Sequence, residues 1–161
     1  MFNTSSQSAI STDYHNTSKM LIETLQSDPE KHYEYLCDLK NKYDCDFIKK
    51  LVDCTYHEAY MGNLLHALIC LTGDLVCNDG RKIFGVNSSI HEELGIKILE
   101  KLIEYNTNIY FKNYYEETPL QNLKSNGYTK RKNNEKFKKK LEKYYIDDLN
   151  IELLLKLKKL N

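Results

Sequence analysis

The chain repeats itself. Lys49-Lys50-Leu51-Val52-Asp53 returns 51 residues later as Glu100-Lys101-Leu102-Ile103-Glu104, and Asn63-Leu64-Leu65-His66 returns 55 residues later as Thr118-Pro119-Leu120-Gln121. Both copies run in the same order: a helix with a leucine-rich stripe, a linker of about ten residues, then a short apolar helix. A helix pair of this size cannot bury its own apolar face, so it must stack on the next pair. The predicted fold is therefore all-α, a short helical solenoid. Composition points the same way, because 2 Pro and 6 Gly in 161 residues leave little punctuation for many short strands. The length suits one compact domain.

Residues 1–18 are rich in Ser, Thr, Asn and Gln with almost nothing to bury, and read as a disordered or loosely docked tail before a single domain over 19–161. A short helix from Lys19 should stop before Asp28-Pro29, where the aspartate caps and the proline takes the first helical position. The next helix, to about Tyr43, carries Tyr33, Leu36, Leu39 and Tyr43 on one face. A third is expected over Asp46 to Thr55 and a buried one over Asn63 to Leu71. Gly73, Asp79-Gly80, Gly85 and Asn87-Ser88-Ser89 make 72–89 a long loop insertion, with room for a short hairpin. A helix over His91 to Tyr105 should end at Asn106 in a left-handed turn. Thr118-Pro119 then starts a two-turn helix that Gly127 can close. Two helices, Lys132 to Tyr145 and Asp147 to Leu160, complete the chain, the last covering the open end of the stack as a cap.

From Gly95 to Gly127 the sequence resembles the ankyrin repeat family. Leu102-Ile103-Glu104-Tyr105-Asn106-Thr107-Asn108-Ile109 is similar to the end of that family's outer helix and the turn after it. Thr118-Pro119-Leu120-Gln121 stands where the family has threonine-proline-leucine-histidine, and Gly62-Asn63-Leu64-Leu65-His66-Ala67 is a weaker copy. Asn106 and Glu116 occupy positions where the family usually has glycine, and the interval between copies is about 20 residues longer than the family's roughly 33. The resemblance implies degenerate helix-turn-helix repeats between N- and C-terminal capping helices, a non-enzymatic scaffold binding a protein partner, and a His66 that hydrogen-bonds backbone at a turn. The Asn, Lys, Tyr and Ile bias is similar to ankyrin proteins encoded by large AT-rich DNA viruses or intracellular microbes.

In that family the loop before the inner helix projects as a finger. Here it is Tyr110-Phe111-Lys112-Asn113-Tyr114-Tyr115-Glu116, with four aromatics in seven residues. Large amphipathic side chains on a rigid tip are the residues that dominate binding energy. The candidate partner-binding set is Tyr110, Lys112, Asn113, Tyr114, Tyr115 and Glu116 with the inner-helix residues His66, Gln121, Asn122 and Lys124. The bland alternative is that Phe111 and one tyrosine pack beneath the finger as core.

The net charge is zero, but it is unevenly spread: Gln121 to Asn161 holds 12 Lys and Arg against 5 Asp and Glu, and the preceding 120 residues hold 11 against 18. Within the basic part, Lys130, Arg131, Lys132, Lys136, Lys138, Lys139 and Lys140 surround a single Glu135. Such a run can attract phosphate backbones or anionic surfaces. It is more often the solvated side of a helix, here with Phe137, Leu141, Tyr144 and Tyr145 as its core stripe. A nucleic-acid site is thus the alternative function.

Catalysis finds little support. Cys54 and His57 are three apart without an accompanying signature, and the spacings of Cys37, Cys45, Cys54 and His57 fit no familiar metal site. The 5 cysteines, odd in number and without a CxxC pair, read as reduced, buried thiols. No cofactor and no metal is expected. With no apolar run near the roughly 20 residues of a membrane span and a polar N-terminus, the expectation is a monomer in the cytoplasm, its own cell's or a host's.

Overall fold

The computed structural model describes residues 4–77, 89–125 and 129–160. Most of the expected insertion, including Asp79-Gly80 and Gly85, and the expected terminator Gly127 lie outside the described residues. The chain is mostly helical: α1 Thr4–Ser27, α2 Pro29–Lys42, α3 Cys45–Val52, α4 Leu64–Leu71, α5 Glu92–Glu104, α6 Pro119–Lys124 and α7 Glu135–Lys159. A 3-10 turn spans His57–Ala59, and two strands, β1 Asp74–Cys77 and β2 Thr129–Lys132, pair antiparallel with Asp74 opposite Lys132.

The helices pack in two columns. One face is made by α1, α4 and α6, each against the next, and the other by α2, α5 and α7 in the same order. α4 meets α5 and α6 meets α7 across the columns, while the short α3 packs on α1 and α2. Of the two similar helix pairs, the second members α4 and α6 lie side by side, whereas α3, the first member of the upstream pair, packs on α1 and α2, and it is α2 that lies against α5. Leu21, Leu25, Leu36, Leu51, Leu64, Leu65, Leu68, Ile98, Leu99, Leu102 and Phe137 fill the space between the columns and are fully buried. Close approach is built in at Gly95: a Cβ there would lie 2.6 Å from Thr72 Cγ2, so α5 passes over the end of α4 with the Thr72 side chain against its backbone.

Local signals set the helix starts. Asp28 accepts from the Lys31 N–H ahead of Pro29, Asp44 from Phe47 and Asn63 from His66, each satisfying one orphan donor of a first turn. Thr118 and Gln121 form a reciprocal capping box at α6, and Asn106, at φ 62°, ends α5 in the left-handed conformation expected of it.

Five expectations are corrected. The polar N-terminal stretch is helical from Thr4, because tertiary contacts hold it: Tyr14 packs edge-on against Phe47, with ring centroids 5.9 Å apart, and donates to the Lys50 carbonyl, while buried Thr17 meets the Tyr43 hydroxyl at 3.3 Å. The two C-terminal helices are one, since Tyr145-Ile146-Asp147-Asp148 contains no glycine or proline and aspartate costs only a fraction of a kcal/mol inside a helix. That helix does not close the stack: from Ile146 onward its large apolar side chains are all half exposed or more. A short sheet joins the helices, and β1 takes its partner from the residues before α7. Finally, four of the cysteines are free thiols but not fully buried, with Cys45 exposed and Cys37, Cys54 and Cys70 half-buried.

Candidate functional site

Two loops, 53–63 after α3 and 105–118 after α5, emerge from the same edge of the stack and are fastened to each other. In the first, the Tyr56 N–H donates to the Gly62 carbonyl at 2.9 Å and the Met61 N–H to Tyr56 at 3.0 Å, closing a tight turn with Tyr60 and Met61 at positive φ. Its narrow neck depends on Gly62, because a Cβ there would lie 2.4 Å from the His66 ring. In the second, the Asn113 side-chain oxygen accepts from the N–H groups of Tyr115, at 3.0 Å, and Glu117, at 3.1 Å, organising the tip from within.

The link between loops is polar and runs their whole length. Asp53 Oδ1 accepts from Thr107 Oγ1 and from the Asn108 N–H, both at 2.9 Å, and from Asn63 Nδ2 at 3.1 Å, while Lys49 donates to the same carboxylate. Asn63 Nδ2 also donates to the Asn108 carbonyl at 3.0 Å. Farther out His66 Nε2 donates to the Phe111 carbonyl at 2.8 Å, and at the tip the Tyr114 N–H donates to the Tyr60 carbonyl at 2.8 Å. Burial pushes the His66 imidazole below its ordinary range, consistent with a neutral ring whose one proton is used in that bond. Tyr145 of α7 fixes the base of the second loop by donating to the Ile109 carbonyl.

Three tyrosines crown this frame. Tyr114 is 75% exposed, Tyr115 59% and Tyr60 56%, and their rings touch in series: Tyr60 to Tyr115 at 5.7 Å between centroids and Tyr115 to Tyr114 at 5.4 Å. Tyr60 was not foreseen, although the offset of 55 that relates Asn63 to Thr118 also relates Tyr60 to Tyr115. Met61 lies beside them, partly exposed.

The remaining expected partner-binding residues divide. Lys112 and Glu116 are exposed and pair loosely with each other at 3.8 Å. Tyr110 is partly committed to the fold: its hydroxyl donates to Asp148 at 2.7 Å, which pushes its pKa up to about 12, and its ring stands edge-on to Tyr145. Gln121 is exposed with its oxygen capping α6, Asn122 is half-buried, and Lys124 is exposed and paired with Glu142. Asn113 and His66 are corrections. Both are buried, because each uses its side chain to hold backbone groups of the second loop, and neither can meet a partner. Phe111 is half-buried against His66, in agreement with the packing alternative for that residue.

Glu116 carries a positive φ of 60°. A non-glycine residue in that region costs about 1 kcal/mol or more, and the exposed Lys112 contact contributes little in return. Glu116→Gly should therefore raise the unfolding free energy by about 1 kcal/mol in urea titration. No gain would mean that the turn is strain-free as it stands.

The basic segment does not form one helical face. Lys130, Arg131 and Lys132 lie on β2, where Arg131 donates to the Gly73 carbonyl at 3.0 Å, whereas Lys136, Lys138, Lys139 and Lys140 belong to α7. Lys140 pairs with Glu100 of α5, and Phe137 between them is buried as expected. The extended backbone at 129–132 results from pairing with β1, a long-range partner the sequence run does not announce. Cys54 donates to the Leu51 carbonyl at 3.3 Å. Among the described residues no group of three or more His, Cys, Asp and Glu gathers to hold a metal ion, and no helix is long and apolar enough to cross a membrane. Comparison with protein-family models, curated proteins and solved structures finds no match to this chain.

Proposed function

We propose that this chain is a non-enzymatic protein-interaction scaffold of degenerate ankyrin-type repeats. It binds a protein partner through the tips of its two loops, with Tyr60, Tyr114 and Tyr115 as anchors and Lys112, Glu116, Gln121 and Lys124 around them. The observation that carries this reading is the tyrosine cluster itself: three exposed aromatics from two loops, mounted on a frame of hydrogen bonds between the loops. Rigid aromatic rings lose little conformational freedom on binding, so each can contribute strongly to affinity. The repeat reading is supported by the packing of α4 against α6 and the capping box at Thr118. It is supported further by Asn106 and Glu116, which stand in for glycine and both adopt positive φ. A cytoplasmic setting fits the free thiols at Cys37, Cys45, Cys54 and Cys70.

The test is affinity capture with the wild-type chain, followed by titration of the captured protein against a Tyr60→Ala, Tyr114→Ala, Tyr115→Ala triple variant. Binding should weaken on the order of 100-fold or more with circular dichroism unchanged. Equal affinity of the two chains would remove this surface as the site.

A further inference from the structure

The last 15 residues of α7, Ile146 to Leu160, carry the largest apolar surface that the fold leaves open. Ile146, Leu149, Leu153, Leu157 and Leu160 recur at intervals of three and four and form one stripe. At about 3.6 residues per turn, that stripe is rotated by about 120° from Phe137, Leu141 and Tyr145, which dock the first half of the helix on the body. The body therefore cannot cover it. Every residue from Leu149 to Leu160 is exposed, so this half of α7 stands as a nearly free helix about 22 Å long. Isolated helices of this length are marginal in water, and a surface patch rich in leucine marks an association site.

The pattern of the stripe identifies its occupant. Leu149 and Leu157 stand four residues either side of Leu153, and Ile146 and Leu160 stand seven either side. The stripe thus reads the same in both directions. Charge does not: Asp147, Asp148 and Glu152 lie in the first half, and Lys156, Lys158 and Lys159 in the second. A copy of this segment laid antiparallel across it sets Leu149 against Leu157, Leu153 against itself and Ile146 against Leu160, and each acidic half against a basic half. Glu152 and Lys156 flank the same edge of the stripe, so across the two-fold axis Glu152 of one chain comes beside Lys156 of the other. The backbone dipoles favour the same direction. Parallel pairing would align like charges along the full length.

We infer that the protein forms a symmetric dimer through antiparallel pairing of Ile146–Leu160, with the two-fold axis at Leu153, in place of the monomer expected from sequence. The interface is isologous, and the two bodies sit at opposite ends of the paired helices. The tyrosine cluster on the loop edge is left free, so the dimer presents two copies of it.

Sedimentation of the full chain across a concentration range tests this. A mass rising to about twice 19.0 kDa is expected, and Leu153→Asp, which sets two aspartates together on the axis, should shift the midpoint on the order of 100-fold or more toward monomer. Because Leu153 is exposed, that variant keeps the folded body, as its thermal unfolding will report. Direction is read by cross-linking in a Cys45→Ser background: chains carrying Leu149→Cys should join chains carrying Leu157→Cys but not each other. A wild type that stays monomeric, or a dimer indifferent to Leu153→Asp, overturns the inference. Leu149→Cys chains that join one another overturn the antiparallel arrangement.

Discussion

Asp53→Ala is expected to remove about 3 to 5 kcal/mol of unfolding free energy, because it orphans several donors at once. The carboxylate is only 13% exposed and gathers Thr107 Oγ1, the Asn108 N–H, Asn63 Nδ2 and the Lys49 ammonium. Thr107 Oγ1 and Asn63 Nδ2 are part-buried and each costs about 1 to 3 kcal/mol when left without an acceptor, whereas the exposed Asn108 N–H and the Lys49 ammonium can turn to water. Asp53→Asn keeps one carbonyl oxygen and should lose clearly less. Urea unfolding of the two variants distinguishes the cases. A deficit under about 1 kcal/mol for the alanine variant would mean that the loops dock by apolar packing alone. The same substitution should weaken partner capture, since the second loop then loses its anchor to the first and its tyrosines lose their fixed spacing.

The second large effect is a loss of stability in acid centred on His32. This imidazole is fully buried between α1 and α2, with Nδ1 2.7 Å from the Leu21 carbonyl. A carbonyl can only accept, so Nδ1 carries the proton and the neutral ring is the fitting form. A second proton would sit on Nε2, which has no hydrogen-bond partner. Burial accordingly lowers the pKa from 6.5 to about 4, against a smaller opposing effect of the Leu21 bond. Below pH 6.5 the unfolded chain takes up a proton that the folded chain refuses, so folding is disfavoured progressively as pH falls toward about 4. Across that window the loss is on the order of 3 kcal/mol from this one residue. Stability is intact above the window. His66, also lowered by burial, adds in the same direction. His32→Gln retains a donor but cannot charge. Its unfolding free energy should depend much less steeply on pH between those limits, and a slope equal to that of wild type would exclude His32 as the cause.

Much of the helix pattern was legible, because the signals that carry it act within one turn. Asp28-Pro29 and Thr118-Pro119 cap helices where expected, and Asn106 adopts its left-handed turn. The apolar run at Leu64–Leu71 is a buried helix, and it packs against α6, its counterpart in the second copy. Part of the candidate surface was legible too: Tyr114 and Tyr115 project from the loop chosen for them. Tyr60 could have been found by applying the repeat offset to the loop as well as to the helices.

What could not be read depends on partners far away in the chain. Asn113 has the residue type of a binding surface, and only its placement turns it inward; His66 was expected both on that surface and in a backbone hydrogen bond at a turn, and it makes the bond. Asp53 draws no notice beside Cys54, yet its main contacts come from residues 54 and 55 positions later. The polar N-terminal helix is held by Phe47 and Tyr43, and the extended run at Lys130 to Lys132 is held by β1. The end of α7 shows the division most plainly. Sequence alone determined that Asp147 to Leu160 is a helix carrying a leucine stripe, since periodicity and propensity are properties of the segment. Tertiary structure decided that this stripe stays uncovered, because the docking of Phe137, Leu141 and Tyr145 fixes the rotation of the whole rod, and the rod runs on past the body so that even Leu155, in line with Phe137, meets none of its own chain.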